Sequence, residues 1–253
     1  MSGGSFVSLQ IQMIGTGSAF SKKFYNNNAL VTCNGFTLLV DCGYTAPRAL
    51  HELGIEINDI DGLMITHVHA DHVGGMEEFA FRLKYTYKHK MKLFVPSKVA
   101  DSLWNHSLKG GLENKLEGFF GLGDYFELIL LDEPLLTEIH PGFTVELIPS
   151  VHIPEKPSYS LLFNGTLFYS SDTKFNYSLL SALSEKRKCQ YILHDCQLSS
   201  PGIVHACLDE LLTLPESIQS KVMLMHYDDY MDAFIGKTGK MTFMEQHKTY
   251  SFP

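Results

Sequence analysis

Cysteine is scarce in this chain: Cys33, Cys42, Cys189, Cys196 and Cys207 are odd in number and include no CxxC pair. That usage excludes a disulfide framework and a cysteine zinc site, and predicts buried free thiols in a reducing cytoplasm. Long hydrophobic runs are missing too. The start, "MSGGSFVSLQ", has neither a basic stretch nor an apolar core, and no later run approaches the length that crosses a bilayer. The expectation is a soluble cytoplasmic protein with no membrane partner. Basic charge is in deficit, with 20 Lys and Arg against 28 Asp and Glu and a formal net charge of −8. Such a balance does not suit stable binding of a long nucleic-acid backbone, although a small anion drawn to a local metal charge is compatible with it. Repeats, low-complexity tracts and blocks of like charge are absent. What remains is 253 residues, 45% of them hydrophobic, enough for one core and one domain over residues 1–253, with residues 1–5 expected to be flexible.

Residues 9–14 alternate as a strand, and "NNNALVTCNGFTLLVDCG" gives two β-rich runs around Asn34-Gly35, a hairpin signal. "TAPRALHELG" has helical spacing, and "IDGLMITH" reads as a buried strand that delivers His67. The spacing predicts one helix from Val73 through "GGMEEFAFRLKYTYKH", then a strand "KLFVP", a helix "SKVADSLWNHSL", and strands "FELILLDE" and "FTVELIPSVH". The second half has a hairpin at Asn164-Gly165, a strand "YILHDC", a helix "IVHACLDELLTL" and "KVMLMHY" as last strand. Periodicity alone gives a mixed α/β class.

"ITHVHADHVGG", Ile65 to Gly75, carries the chemistry. His67 and His69 are followed by Asp71 and His72, so a turn leaving a strand can aim one pair at one metal ion and the other pair at a second. Neutral imidazole and carboxylate suit Zn²⁺ or a similar first-row ion. Two ions need further ligands at strand ends, and His152, Asp172 and His226 each follow a predicted strand. His51, His89, His106, His140 and His247 match no motif and read as surface residues.

The pattern HxHxDH, then His, Asp and His, resembles the metallo-β-lactamase superfamily over nearly the whole chain. The resemblance implies a four-layer αββα sandwich and a dinuclear hydrolase. Position by position, it implies that His67, His69 and His152 hold one ion, that Asp71, His72 and His226 hold the other, and that Asp172 bridges them. It leaves open whether the metal is Zn²⁺ or Mn²⁺. "YILHDC" and "GIVHAC" resemble the ribonuclease Z-like branch, in which an acidic residue orients a histidine that protonates a leaving oxygen. Asp195 and His205 match those two positions, with Asp where the branch usually has Glu. The implied catalytic residues are thus Asp71, His205 and Asp195.

Transfer-RNA processing members of that branch carry a long basic arm between the third and fourth ligand motifs. Here "IPEKPSYSLLFNGTLFYSS" joins His152 to Asp172 and is spent on a loop and a hairpin. Together with "GTGSAFSKKFYNNNALV" and "ILHDCQ", the chain looks most like the armless anti-Pycsar phosphodiesterases. That resemblance implies hydrolysis of 3′,5′-cyclic nucleotide messengers such as cyclic CMP and cyclic UMP, and so the silencing of an antiviral alarm. It also implies a homodimer whose partner contributes to the pocket, with "FRLKYTYKHKMKLF" and "GGLENKLEGFFGLGDYF" expected at the contact. Two other readings stay open: an RNA 3′-end nuclease or metabolic cyclic-phosphate esterase, and a metal-binding module without catalysis, which would have no use for His205.

Overall fold

In the computed structural model, which describes residues 8–253, the first half of the chain builds one mixed sheet from β1 (Leu9–Met13), β2 (Ala29–Cys33), β3 (Phe36–Val40), β4 (Gly62–Met64), β5 (Lys92–Pro96) and β6 (Glu127–Leu131). The flexibility expected of residues 1–5 lies outside the described residues. A second sheet follows from β7 (Leu136–His140), β8 (Phe143–Pro149), β9 (Tyr159–Phe163), β10 (Leu167–Tyr169), β11 (Tyr191–Asp195), β12 (Val222–Met225) and β13 (Thr242–Phe243). A last strand, β14 (Thr249–Phe252), returns to the first sheet and pairs antiparallel with β1, Leu9 opposite Phe252. The strand orders are β14-β1-β2-β3-β4-β5-β6 and β13-β12-β11-β10-β9-β8-β7.

Each sheet begins with hairpins and continues with parallel strands. The Asn34-Gly35 turn has positive φ at both central residues, 50° and 80°, as a two-residue hairpin requires. Alternation on the strands sorts side chains between two layers. Leu161, Phe163, Tyr169, Leu193 and Met225 join the core shared with the first sheet, whereas their neighbours Leu162, Phe168, Ile192 and Leu224 pack under the helices on the outer face. The arrangement is the expected four-layer αββα sandwich. Among the described residues, no helix is long and apolar enough to cross a membrane.

Three readings of local structure need correction. The helix expected from Val73 is broken: Ala70–Val73 forms one turn, Gly74 and Gly75 interrupt it, and Met76–Phe81 runs into a π-helical segment at Arg82–Tyr87. The interruption follows from a bond of the Gly75 N–H to the Cys42 carbonyl, 2.9 Å, which ties the break to the loop after β3. The segment "IVHACLDELLTL" is helical only over Leu208–Leu211, so His205 sits in a loop and not at a helix start. There, Ala206 N–H bonds to Thr173 O (2.8 Å), and the Gln197 and Leu208 N–H groups bond to Ala206 O and Gln197 O (2.8 and 2.9 Å). Tertiary hydrogen bonds have displaced the helical ones. Finally, β12 is not the last strand, and β7, β13 and β14 were not foreseen.

The fold positions a site by direction. β3 and β4 are parallel, β10, β11 and β12 are parallel, and β8 is antiparallel to β9, which is antiparallel to β10. The carboxyl ends of β8, β10, β11 and β12 therefore lie at one end of their sheet, where loops of an α/β architecture gather polar side chains.

Candidate metal centre

Every site residue taken from the sequence lies in this one region. His67 follows β4, and His69 precedes the turn that buries Asp71 and His72. His152 follows β8, Asp172 follows β10, Asp195 ends β11 and His226 follows β12. Their donor atoms form overlapping groups, each within 4.8 Å: His67, His69, His152 and Asp172; Asp71, His72, Asp172 and His226; and Asp172, Asp195, His205 and His226. Asp172 belongs to all three.

In the first group, Nδ1 of His69 stands 3.1 Å from His67 Nε2 and 3.2 Å from His152 Nε2, and Asp172 Oδ2 is 3.7 and 3.6 Å from those two Nε2 atoms. In the second, Asp71 Oδ2 is 3.2 Å from His72 Nε2 and 3.3 Å from His226 Nε2, and Asp172 offers Oδ2 at 3.3 Å and Oδ1 at 3.5 Å to the same two rings. The opposite ring nitrogens are held from behind: His72 Nδ1 by Asp41 Oδ2 at 2.8 Å, His152 Nδ1 by Val204 O at 2.8 Å, and His226 Nδ1 beside Asp195 Oδ1 at 3.3 Å. Such partners fix the tautomer and aim the free nitrogen inward.

The residues fit divalent cations. Asp41, Asp71, Asp172 and Asp195 are all buried, and among the described residues their only ion-pair partners are histidines. Buried carboxylates in that number need positive charge or metal. Among the described residues, His72 Nε2 and Asp172 Oδ1 are buried without a hydrogen-bond partner, although both point into the second group. The titration pattern agrees. Burial, with the neighbouring His72, holds His67 well below the usual imidazole range, and burial with His152 brings His69 down to about 4. Burial also lowers His152. At His72 burial acts the same way, but Asp172, Asp71 and Asp41 outweigh it and raise the ring well above its ordinary value. His226 is raised for the same reason, by Asp172 and Asp195.

His205 stands beside this cluster. Its Nδ1 lies 2.7 Å from Asp195 Oδ2 and 3.9 Å from Asp172 Oδ2. Burial opposes its charge, and Asp195 overcomes burial and raises the ring above its ordinary value. Asp195 does more than orient His205: Oδ2 also accepts the Thr173 N–H at 3.1 Å, and Oδ1 faces His226. A cleft of about 470 Å³ borders His69, Asp71, His152, Asp172 and His205, with Phe20, Lys22 and Tyr44 on its rim. His106, read from the sequence as a surface residue, borders a separate recess of about 280 Å³ beside His67, His69 and His152.

Asp41 and Thr66 were missed. Asp41 accepts the Thr66 N–H and hydroxyl, both at 2.8 Å, as well as the His72 ring. The available signal was a carboxylate closing the apolar strand "FTLLV".

Residues 9–250 match the family described as anti-Pycsar protein Apyc1. An anti-Pycsar protein Apyc1 of Paenibacillus xerothermodurans is 68% identical over 246 residues, covering 97% of this chain and 98% of the relative. One from Bacillus phage BSP38 is 44% identical over 254 residues, covering 95% and 97%. Among solved structures, the metallo-β-lactamase fold protein YhfI from Bacillus subtilis superposes with a TM-score of 0.75 at 15% identity, covering 97% of this chain and 100% of that one. The fold is therefore that of the metallo-β-lactamases.

Proposed function

The chain belongs to the anti-Pycsar protein Apyc1 family, and on that premise we propose that it is a phosphodiesterase using two divalent cations, Zn²⁺ by its donor chemistry, to hydrolyse 3′,5′-cyclic nucleotides. His67, His69 and His152 would hold one ion and Asp71, His72 and His226 the other, with Asp172 within reach of both groups. The observation that carries the reading is the His205–Asp195 pair at 2.7 Å, set against Asp172 at the edge of the cleft. Asp195 would also serve a site that only bound metal, since it faces His226, but such a site would have no use for the His205 imidazole beside it.

When bound, two such ions lower the pKa of water and draw charge from phosphate oxygens. The remaining chemistry belongs to side chains. With Nδ1 engaged by Asp195, His205 keeps Nε2 as its other proton-bearing atom, and its raised pKa favours the imidazolium. It gives that proton to the departing ribose oxygen as the P–O bond breaks, so the leaving group departs neutral.

A single nucleotide suits a cleft of about 470 Å³. Residues 153–171 are taken up by a short loop and the β9–β10 hairpin, leaving no arm to hold a folded RNA. The homodimer implied by the resemblance is part of this reading, supported by Leu116 and Phe120, which stand exposed in the segment expected at the contact. The deciding experiment incubates metal-loaded protein with cyclic mononucleotides, linear dinucleotides and precursor tRNA, and separates products by chromatography. The expected outcome is ring opening of cyclic mononucleotides much faster than cleavage of tRNA. Site-specific tRNA cleavage with intact cyclic nucleotides would replace the reading by an RNA 3′-end nuclease, and inactivity on all three by a binding module.

A further inference from the structure

Phe20 is 86% exposed, yet the turn it sits on is tethered from two sides. Ser18 donates its N–H to Tyr227 O and its hydroxyl to Asp228 Oδ1, both at 3.0 Å. The Ser21 hydroxyl and the N–H groups of Lys22 and Lys23, at 3.0 and 2.9 Å, converge on the Asp229 carboxylate. From the other side, the Tyr44 hydroxyl donates to Ala19 O at 2.8 Å, and the Tyr44 N–H to Ala70 O at 3.2 Å. The turn is thus fastened to the three residues that follow His226 and, through Tyr44, to the residue between His69 and Asp71. The backbone that carries Phe20 is tied to loops of both ligand groups, and Phe20 lines the same cleft as His69, Asp71, Asp172 and His205.

A scattered exposed phenylalanine needs no explanation. One carried on a tethered turn, lining the same cleft as the His/Asp cluster, is placed to meet a flat apolar group attached to a phosphate bound there. We infer that Phe20 is the platform on which the base of the substrate stacks while its phosphodiester lies at the His/Asp cluster, an inference that rests on the function proposed above. Every base has a π-face, so a stacking platform favours none of them strongly. Stacking is also present before and during the reaction alike, so it acts on KM and leaves kcat almost untouched.

The test is steady-state kinetics of the metal-loaded full chain on cyclic CMP, cyclic UMP and cyclic AMP, with 1-O-methylribose 3′,5′-cyclic phosphate as a substrate lacking the base. Phe20→Ala is expected to raise KM for all three nucleotides by about 5- to 100-fold, and to lower the preference for nucleotide over the baseless substrate by the same factor. Phe20→Trp is expected to retain the wild-type preference. Loss of activity by Phe20→Ala equally on both substrate types, or an unchanged preference, would overturn the inference. So would a changed sedimentation state, which would make Phe20 an assembly residue. A wild type inactive on every cyclic nucleotide would remove the proposed function itself, and this inference with it.

Discussion

Oδ2 of Asp41 stands 2.8 Å from Nδ1 of His72, and the same carboxylate accepts both the N–H and the hydroxyl of Thr66, the residue before His67. One buried side chain therefore sets a ring of the second ligand group and the entry to the loop that carries the first. Asp41→Ala is expected to weaken metal binding about 10- to 100-fold and to lower thermal stability by orphaning the Thr66 N–H. Competition against a chelator and a melting curve measure the two effects; unchanged metal affinity would show that His72 is aimed by packing alone.

Acid should empty the two groups in sequence. The neutral imidazole is the ligand, so a ring with a raised pKa meets more proton competition at a given pH. His72 and His226 are raised, whereas His67 and His152 are lowered and His69 is brought to about 4. On lowering pH from about 7.5 to about 5.5 at limiting free metal, the ion at Asp71, His72 and His226 should leave first. Elemental analysis should fall from two metals per chain towards one, and His72→Ala should start near one. Simultaneous loss of both ions would contradict this order.

His205→Ala should keep both metals and lose roughly 10²- to 10⁴-fold in turnover on cyclic nucleotides. Bis(p-nitrophenyl) phosphate, whose leaving group needs little protonation, should recover most of that loss. Asp195→Asn should shift the alkaline limb of the rate profile to lower pH, because the raised His205 pKa depends on Asp195. It should also loosen the second ion, since Asp195 Oδ1 faces His226. Equal losses on good and poor leaving groups would assign His205 to positioning.

Gly43 is required by close approach. A Cβ there would lie 2.0 Å from the Asp71 carbonyl oxygen, a backbone atom that cannot rotate away. Gly43→Ala should therefore displace Asp71 and cost several degrees in melting temperature, with metal stoichiometry dropping towards one. A variant with unchanged stability and two metals would show that the loop yields freely.

The clustering of the candidate ligands was legible because HxHxDH concentrates rare donors in six positions, and because His152, Asp172 and His226 each follow an apolar strand. Asp41 was not, since its partners His72 and Thr66 meet it only once β3 and β4 pair in parallel. The loop at His205 was misread as helix because its amides are taken by Thr173 and Gln197, which a local pattern does not contain. β14 was missed because "TYSF" is short, with two of its four residues exposed, and its partner β1 is distant in sequence.

That pairing has a consequence for synthesis. β1 is made before the whole second sheet, yet its outer edge is covered by residues 249–252, made after it. Until then β1 offers unpaired amides to any neighbouring chain, and contact between such distant segments slows closure. The first sheet is begun first and finished last.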